Sequence, residues 1–231
     1  MIIDWPAGLT FKSQMIPILV GRGASSGRGM TGAERVVFTD AGFWQLGVTI
    51  RFQRQADVMS WKALLALTEG RTNVIRVPFF DKQTTPADLA GTRATLQAAI
   101  DAAGVTYSDG STHDDLTSLD QGIITANSTF AYSAGVTVMS LDMPTGYAPS
   151  IGQFFSDGNY LYQVRGVTRV VGRRYLVEFR PRLRADAYDG SQFSFDRLYC
   201  LARVETEDNF STQQAPDYSS EVSLTLVEAF S

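Results

Sequence analysis

From Trp44 to Gln53 the chain alternates strictly: Trp44, Leu46, Val48, Ile50 and Phe52 fall on one side of an extended backbone, with Gln45, Thr49, Arg51 and Gln53 on the other. A period of two marks a strand with one buried face. The run Val36 to Phe38 predicts a further strand just before it. The period then changes. Val58, Trp61, Leu64, Leu65 and Thr68 recur at three- and four-residue spacing, which predicts an amphipathic helix. Asp57 stands where the helix dipole favours negative charge, and Gly70 stands where a C-terminal cap belongs. The segment "TNVIRVPFFD" returns to a strand, which Pro78 is expected to end or to place at a sheet edge.

The middle of the chain, from Thr84 to Gly122, is poor in aromatic residues and rich in small polar ones. Leu89, Leu96, Ala99, Ile100 and Ala103 are spaced for one short helix face, whereas Tyr107 to Gly122 has the composition of a long surface loop. From Ile123 onward the pattern is β throughout. Short alternating runs such as "YLYQVRGVTRVV", "RYLVEFRPRL" and "QFSFDRLYCLARVE" are punctuated by Pro144-Thr145-Gly146, Asp157-Gly158-Asn159 and Asp189-Gly190. Evenly spaced short strands predict a sandwich or a small barrel. The last run, "EVSLTLVEAF", follows the linker-like "EDNFSTQQAPDYSS". It is expected to return to the first sheet and complete it.

Composition narrows the chemistry. The 231 residues are 44% apolar and 19% charged, which describes an ordered chain long enough for one large domain or two small ones. A net charge of −4 argues against sequence-independent nucleic-acid binding, which needs a basic footprint. With one cysteine, Cys200, and one histidine, His113, neither a disulfide framework nor most zinc or histidine-dependent hydrolase chemistry is expected. The N-terminal residues lack the pattern of a signal peptide, and no run approaches about 18 consecutive apolar residues. A soluble chain made in a cytoplasm is expected.

Gly21 to Gly32, "GRGASSGRGMTG", holds five glycines and two arginines, the mixture that cradles phosphates in many enzymes. It has no lysine, and the strand-like "ERVVFT" follows it where a phosphate loop needs a helix. A mobile connecting loop is expected instead. Around His113, Asp109, Asp114, Asp115 and Asp120 lack the calcium-loop spacing and read as a solvated loop. The arginines of "RGVTRVVGRRYLVEFRPRLR" alternate with hydrophobic residues. They fit a solvated sheet face or ion pairs better than a single-strand nucleic-acid platform, given the acidic chain. No nucleophile elbow accompanies His113.

Two stretches resemble a known family. "FWQLGVTIRF" with "MSWKALLALTEGRTNVIRVPFFD" is similar to the N-terminal part of distal tail and tail-tip (baseplate) proteins of long-tailed, siphovirus-like bacteriophages. The matching positions are Trp61, Leu64, Gly70, Arg71, Asn73, Pro78 and Asp81. "PSIGQFFSDGNYLYQVRGV" and "FRPRLRADAYDGSQFSFDRLYCLARV" resemble a β module that recurs in phage tail proteins, on Gly152, Tyr162, Val164, Pro181, Leu183, Arg184, Gly190 and Leu201. All are turn and packing residues. The connector "GVTYSDGSTHDDL" is also similar to those of such proteins.

The resemblance implies a mainly β fold: a β-sandwich belt domain with one packed amphipathic helix, plus an inserted small β-sandwich or barrel domain. The expected division is 1–83 with 215–231 as a split ring-forming domain, 84–122 as connector and 123–214 as the inserted domain. The implied function is structural: a homo-oligomeric ring, hexameric in the family, joins the tail tube protein to the tip or hub proteins. Such a subunit is assembled in the bacterial cytoplasm and ends in the virion. It is not an enzyme, and no catalytic, cofactor-binding or metal residue carries over. Neither a membrane nor a specific nucleic acid is implied as partner. The alternative is a carbohydrate- or receptor-binding β module, with exposed Tyr147, Tyr160 or Tyr188 as stacking platforms. Exposed aromatics clustered on one face would favour that alternative.

Overall fold

In the computed structural model residues 1–6, 8–21, 23–28, 34–38, 42–80, 124–144, 147–205 and 220–230 are described. The chain gives β1 (Ile2–Asp4), β2 (Phe11–Gln14), β3 (Ile18–Val20), β4 (Gly23–Arg28), β5 (Glu34–Phe38), β6 (Phe43–Phe52), α1 (Gln55–Thr68) and β7 (Val74–Phe79). After the undescribed middle come β8 (Thr125–Ser128), β9 (Val138–Asp142), β10 (Phe154–Ser156), β11 (Leu161–Val171) and β12 (Arg174–Arg180). Then follow β13 (Gln192–Ser194), β14 (Leu198–Val204) and β15 (Ser220–Glu228). The protein is mainly β, sandwich-like, with a single helix among the described residues. The helix-spaced residues Leu89 to Ala103 lie outside them, as does the loop around His113.

Two compact units emerge. The described residues of Met1–Phe79, Asn159–Leu161 and Tyr199–Ser231 form one; those of Phe80–Gly158 and Tyr162–Leu198 form the other. The first is built on a seven-stranded sheet in the order β1-β7-β14-β15-β6-β2, with β3 also on β6. All five apolar residues of the alternating β6 run are buried, because β6 lies between β15 on one side and β2 and β3 on the other. The last strand pairs with β6 over the register Ser220↔Phe52 to Val227↔Gln45 and with β14 over Ala202↔Glu228 to Val204↔Leu226. β14 lies within the 123–214 range expected for the inserted domain, yet it pairs in this sheet. Alternation alone does not say which sheet a strand joins.

The helix forms where its period predicts. Trp61, Leu64 and Thr68 are buried, Val58 and Leu65 half-buried, and the Trp61 ring stands 6.0 Å from that of Phe52. Asp57 Oδ2 accepts the free N–H groups of Gln53 and Arg54 at 2.9 Å each, closing the N-terminus. At the other end Glu69 and Gly70 are both left-handed, with φ of 46° and 70°. Glycine meets that conformation without strain, so Gly70 ends the helix as expected. Asn73 Nδ2 then donates to the Leu67 carbonyl at 2.7 Å, satisfying an acceptor the last turn leaves open.

Pro78 stands one residue before β7 ends, in keeping with a strand-ending proline, but β7 lies between β1 and β14 and is not a sheet edge. Length is why it is tolerated there: β1 pairs only over Ile2↔Val74 to Asp4↔Arg76, so the missing N–H falls beyond the paired stretch. The Pro78 carbonyl accepts Gln14 Nε2 at 3.0 Å.

The second unit centres on a closed barrel, β10-β11-β12-β9-β8-β13. Closure leaves no sheet edge, and the interior fills with aromatic side chains. Phe155 is the hub, with ring centroids 5.3 Å from Tyr162, 5.5 Å from Phe179, 5.9 Å from Phe193 and 5.2 Å from Phe195. The Tyr162 hydroxyl, at the end of a buried ring, donates to Asp157 Oδ2 and accepts the Arg184 N–H, each at 3.1 Å.

Candidate assembly surfaces

An open sheet leaves two strands with unpaired N–H and C=O groups. Among the described strands of the first unit the outermost are β1, three residues long, and β2 with β3. A short edge strand is a poor template for pairing, and β1 also carries the Asp4–Arg76 ion pair at 2.6 Å. The β2–β3 edge differs. Between the two strands Met15 and Ile16 are exposed, as is Ile18 at the start of β3, while Pro17 is buried. Exposed apolar side chains along a free edge are what a neighbouring chain covers.

The glycine-rich stretch, expected as a mobile loop, is in part a strand. Gly23–Arg28 pairs with Glu34–Phe38 through Gly23↔Phe38, Ala24↔Val37, Ser25↔Val36 and Arg28↔Glu34, with a bulge between Ser25 and Arg28. In sequence it follows the β3–β6 pairing, which reaches Val20↔Phe43. Glycine, alanine and serine have little strand preference, so pairing with "ERVVF" imposes the extended form. Among the described strands β4 and β5 pair only with each other. An isolated two-stranded ribbon is marginally stable alone, and it offers two further free edges.

The three tyrosines named for the glycan alternative do not form one exposed platform. Tyr147 is 5% and Tyr160 7% exposed; only Tyr188, at 74%, faces solvent. Tyr147 stacks edge-on against Phe195 at 5.8 Å and its hydroxyl accepts from buried Gln153 Nε2. Burial pushes the Tyr147 phenol well above its ordinary 10.0, the Gln153 hydrogen bond opposing the shift and Asp196 adding to it. The folded state therefore holds the proton longer than the unfolded chain does. Stability from this group is complete below about pH 10 and is lost as pH rises beyond it. Urea unfolding across that range is expected to show a falling free energy, with a shallower fall in Tyr147→Phe.

The arginine-rich strands present a solvated face. Arg165, Arg169, Arg173, Arg174 and Arg182 are exposed, and Arg173 pairs with Asp142 at 3.1 Å. Of the two aromatic rings interleaved among them, Phe179 is buried inside the barrel and Tyr175 is half-buried, which leaves little open ring surface for base stacking. No helix of the described residues is long and apolar enough to cross a membrane.

The family-like positions are structural where described. Trp61, Leu64, Tyr162, Val164, Leu183 and Leu201 are buried, and Gly152 and Gly190 take positive φ in turns. Asp81 lies outside the described residues, with Asp109, Asp114, Asp115 and Asp120. Exposed Phe130, Val170 and Val171 were not singled out from the sequence, where each looks like an ordinary strand residue. No protein-family model matches the chain, and none of the curated proteins compared with it is similar.

Proposed function

We propose that the chain is a structural virion protein of a long-tailed bacteriophage, a subunit of a hexameric ring joining the tail tube protein to the tip or hub proteins. It is made in the host cytoplasm, performs no catalysis and holds no cofactor. The observation that carries this reading is the open first unit. Among the described strands its sheet ends at β2 and β3, beside exposed Met15, Ile16 and Ile18, and the β4–β5 ribbon that follows in sequence pairs with no other described strand. A ring needs each subunit to offer unlike surfaces to its two neighbours, and free strands and apolar edges serve that purpose. The resemblance over about half the chain supplies the biological class. The glycan alternative retains one exposed tyrosine of its three candidates, Tyr188.

The test is location. In purified virions of the phage that encodes the chain, mass spectrometry of fractionated particles is expected to find it with the tail tip. Its absence from intact virions would contradict the proposal.

A further inference from the structure

The barrel unit carries two exposed patches of opposite character. The first is the tip of the β11–β12 hairpin. Every residue from Thr168 to Arg174 is exposed, with Val170 at 57% and Val171 at 65%. The tip turns tightly: Val171 pairs with Arg174, and Gly172 takes φ 57°, a left-handed conformation that a two-residue hairpin loop requires. A register shift between Arg169 and Val171 takes Val170 out of the ladder. Arg169, Arg173 and Arg174 surround these valines, and Asp142 is the carboxylate ion-paired there, with Arg173. The tip is thus an apolar wedge with a net positive rim.

The second patch is a short ribbon formed where the chain after β8 runs beside the chain before β13. Ser128 and Tyr132 exchange backbone hydrogen bonds with Gly190, Ser191 and Ala187. Phe130, 57% exposed, and Tyr188 stand on this ribbon with the exposed carboxylates Asp186 and Asp189. Open aromatic rings and carboxylates match valines and arginines: the valines cover apolar ring surface, while guanidinium groups stack on rings and pair with Asp189, Asp186 Oδ1 already accepting the Ala134 N–H at 2.7 Å. Along β9, Arg174 of the tip pairs with Asp142 at the strand's end, and the Thr129 N–H of the ribbon donates to Ser140, two residues away at the strand's middle.

We infer that the barrel unit makes a head-to-tail contact between copies of this chain, the hairpin tip of one seated on the Phe130–Tyr188 ribbon of the next. Such a heterologous contact propagates and closes into a ring when the rotation permits. The inference rests on the reading of the chain as a self-assembling subunit. An anionic lipid surface is the less favoured occupant of the tip, because the chain as a whole carries a net charge of −4.

The test uses full-length chain in analytical ultracentrifugation. A tip variant combines Val170→Ser, Val171→Ser and Arg174→Glu; a ribbon variant combines Phe130→Ser, Tyr188→Ala and Asp189→Asn. Near-UV circular dichroism checks folding, and Val171→Asp alone serves as a second tip variant. Each variant alone is expected to self-associate about tenfold or more weakly than wild type. Mixed together they are expected to form dimers and nothing larger, since the mixture retains one intact tip and one intact ribbon per pair. High salt is expected to weaken the wild-type contact. Wild-type assembly unchanged in both variants overturns the inference and leaves the ring reading standing. Loss in both variants without dimers in the mixture also overturns it. A wild type that never self-associates, alone or with the tail tube protein added, overturns both readings. So does a wild-type monomer that binds phosphatidylserine vesicles through the tip alone.

Discussion

Deleting residues 216–231 is expected to leave a chain that is insoluble or melts without cooperativity. The deletion takes β15 from between β14 and β6, in the interior of the seven-stranded sheet. Val222, Leu224, Leu226 and Ala229 are buried, and each large apolar side chain is worth about 1.5–3 kcal/mol of burial. The backbone partners from Gln45 to Phe52 lose their ladder on that side at the same time. The buried β6 face, with Trp44, Leu46 and Val48, would also meet water. These losses together match or exceed the roughly 5–15 kcal/mol by which domains are stable. Size-exclusion chromatography and near-UV circular dichroism check the outcome. A soluble, monodisperse deletion product with a wild-type aromatic signal would show that β15 is dispensable.

Phe155→Ala carries the second largest expected effect. Its ring is in contact geometry with four other aromatic rings inside the closed barrel, so truncation leaves a cavity that rigid neighbours cannot fill. A loss of about 3–5 kcal/mol is expected, read as a lowered urea midpoint and a weakened near-UV signal. Phe130→Ala is the matched control, because that ring is mostly exposed. Its stability is expected to stay within about 0.5 kcal/mol of wild type. Equal effects from the two substitutions would refute the placement of Phe155 as the barrel's hub.

Elements with one buried face were the legible ones. The period-two run of β6 and the helix-spaced Trp61, Leu64 and Thr68 sit where their patterns put them, since a single register buries each set. The last strand, expected to return to the first sheet, pairs with β6. Other features depend on partners that local pattern does not encode. β4, "GASSGR", has no strand preference of its own and is extended by its pairing with β5. β14 reads like the barrel strands around it but joins the other sheet. Pro78 was judged by residue type, whereas the length of β1 decides how it is tolerated.

The candidate surfaces were less legible still. Tyr147 and Tyr160 stand beside turn signals and looked exposed; the fold turns both inward. Phe130 and Tyr188 fall on one ribbon through pairing between segments some sixty residues apart, as in the Ser128 Oγ bond to the Tyr188 carbonyl. No local pattern announces such a meeting. That β2 and β3 are outermost among the described strands likewise emerges only once β6 has been assigned its neighbours.

The central claim is that this chain builds a ring. Native mass spectrometry of the purified full-length protein, with negative-stain imaging of the same sample, tests it most directly. One dominant hexameric species, seen as closed rings and formed alone or on addition of the tail tube protein, is expected. A strict monomer at every concentration, with that partner present and absent, would contradict it.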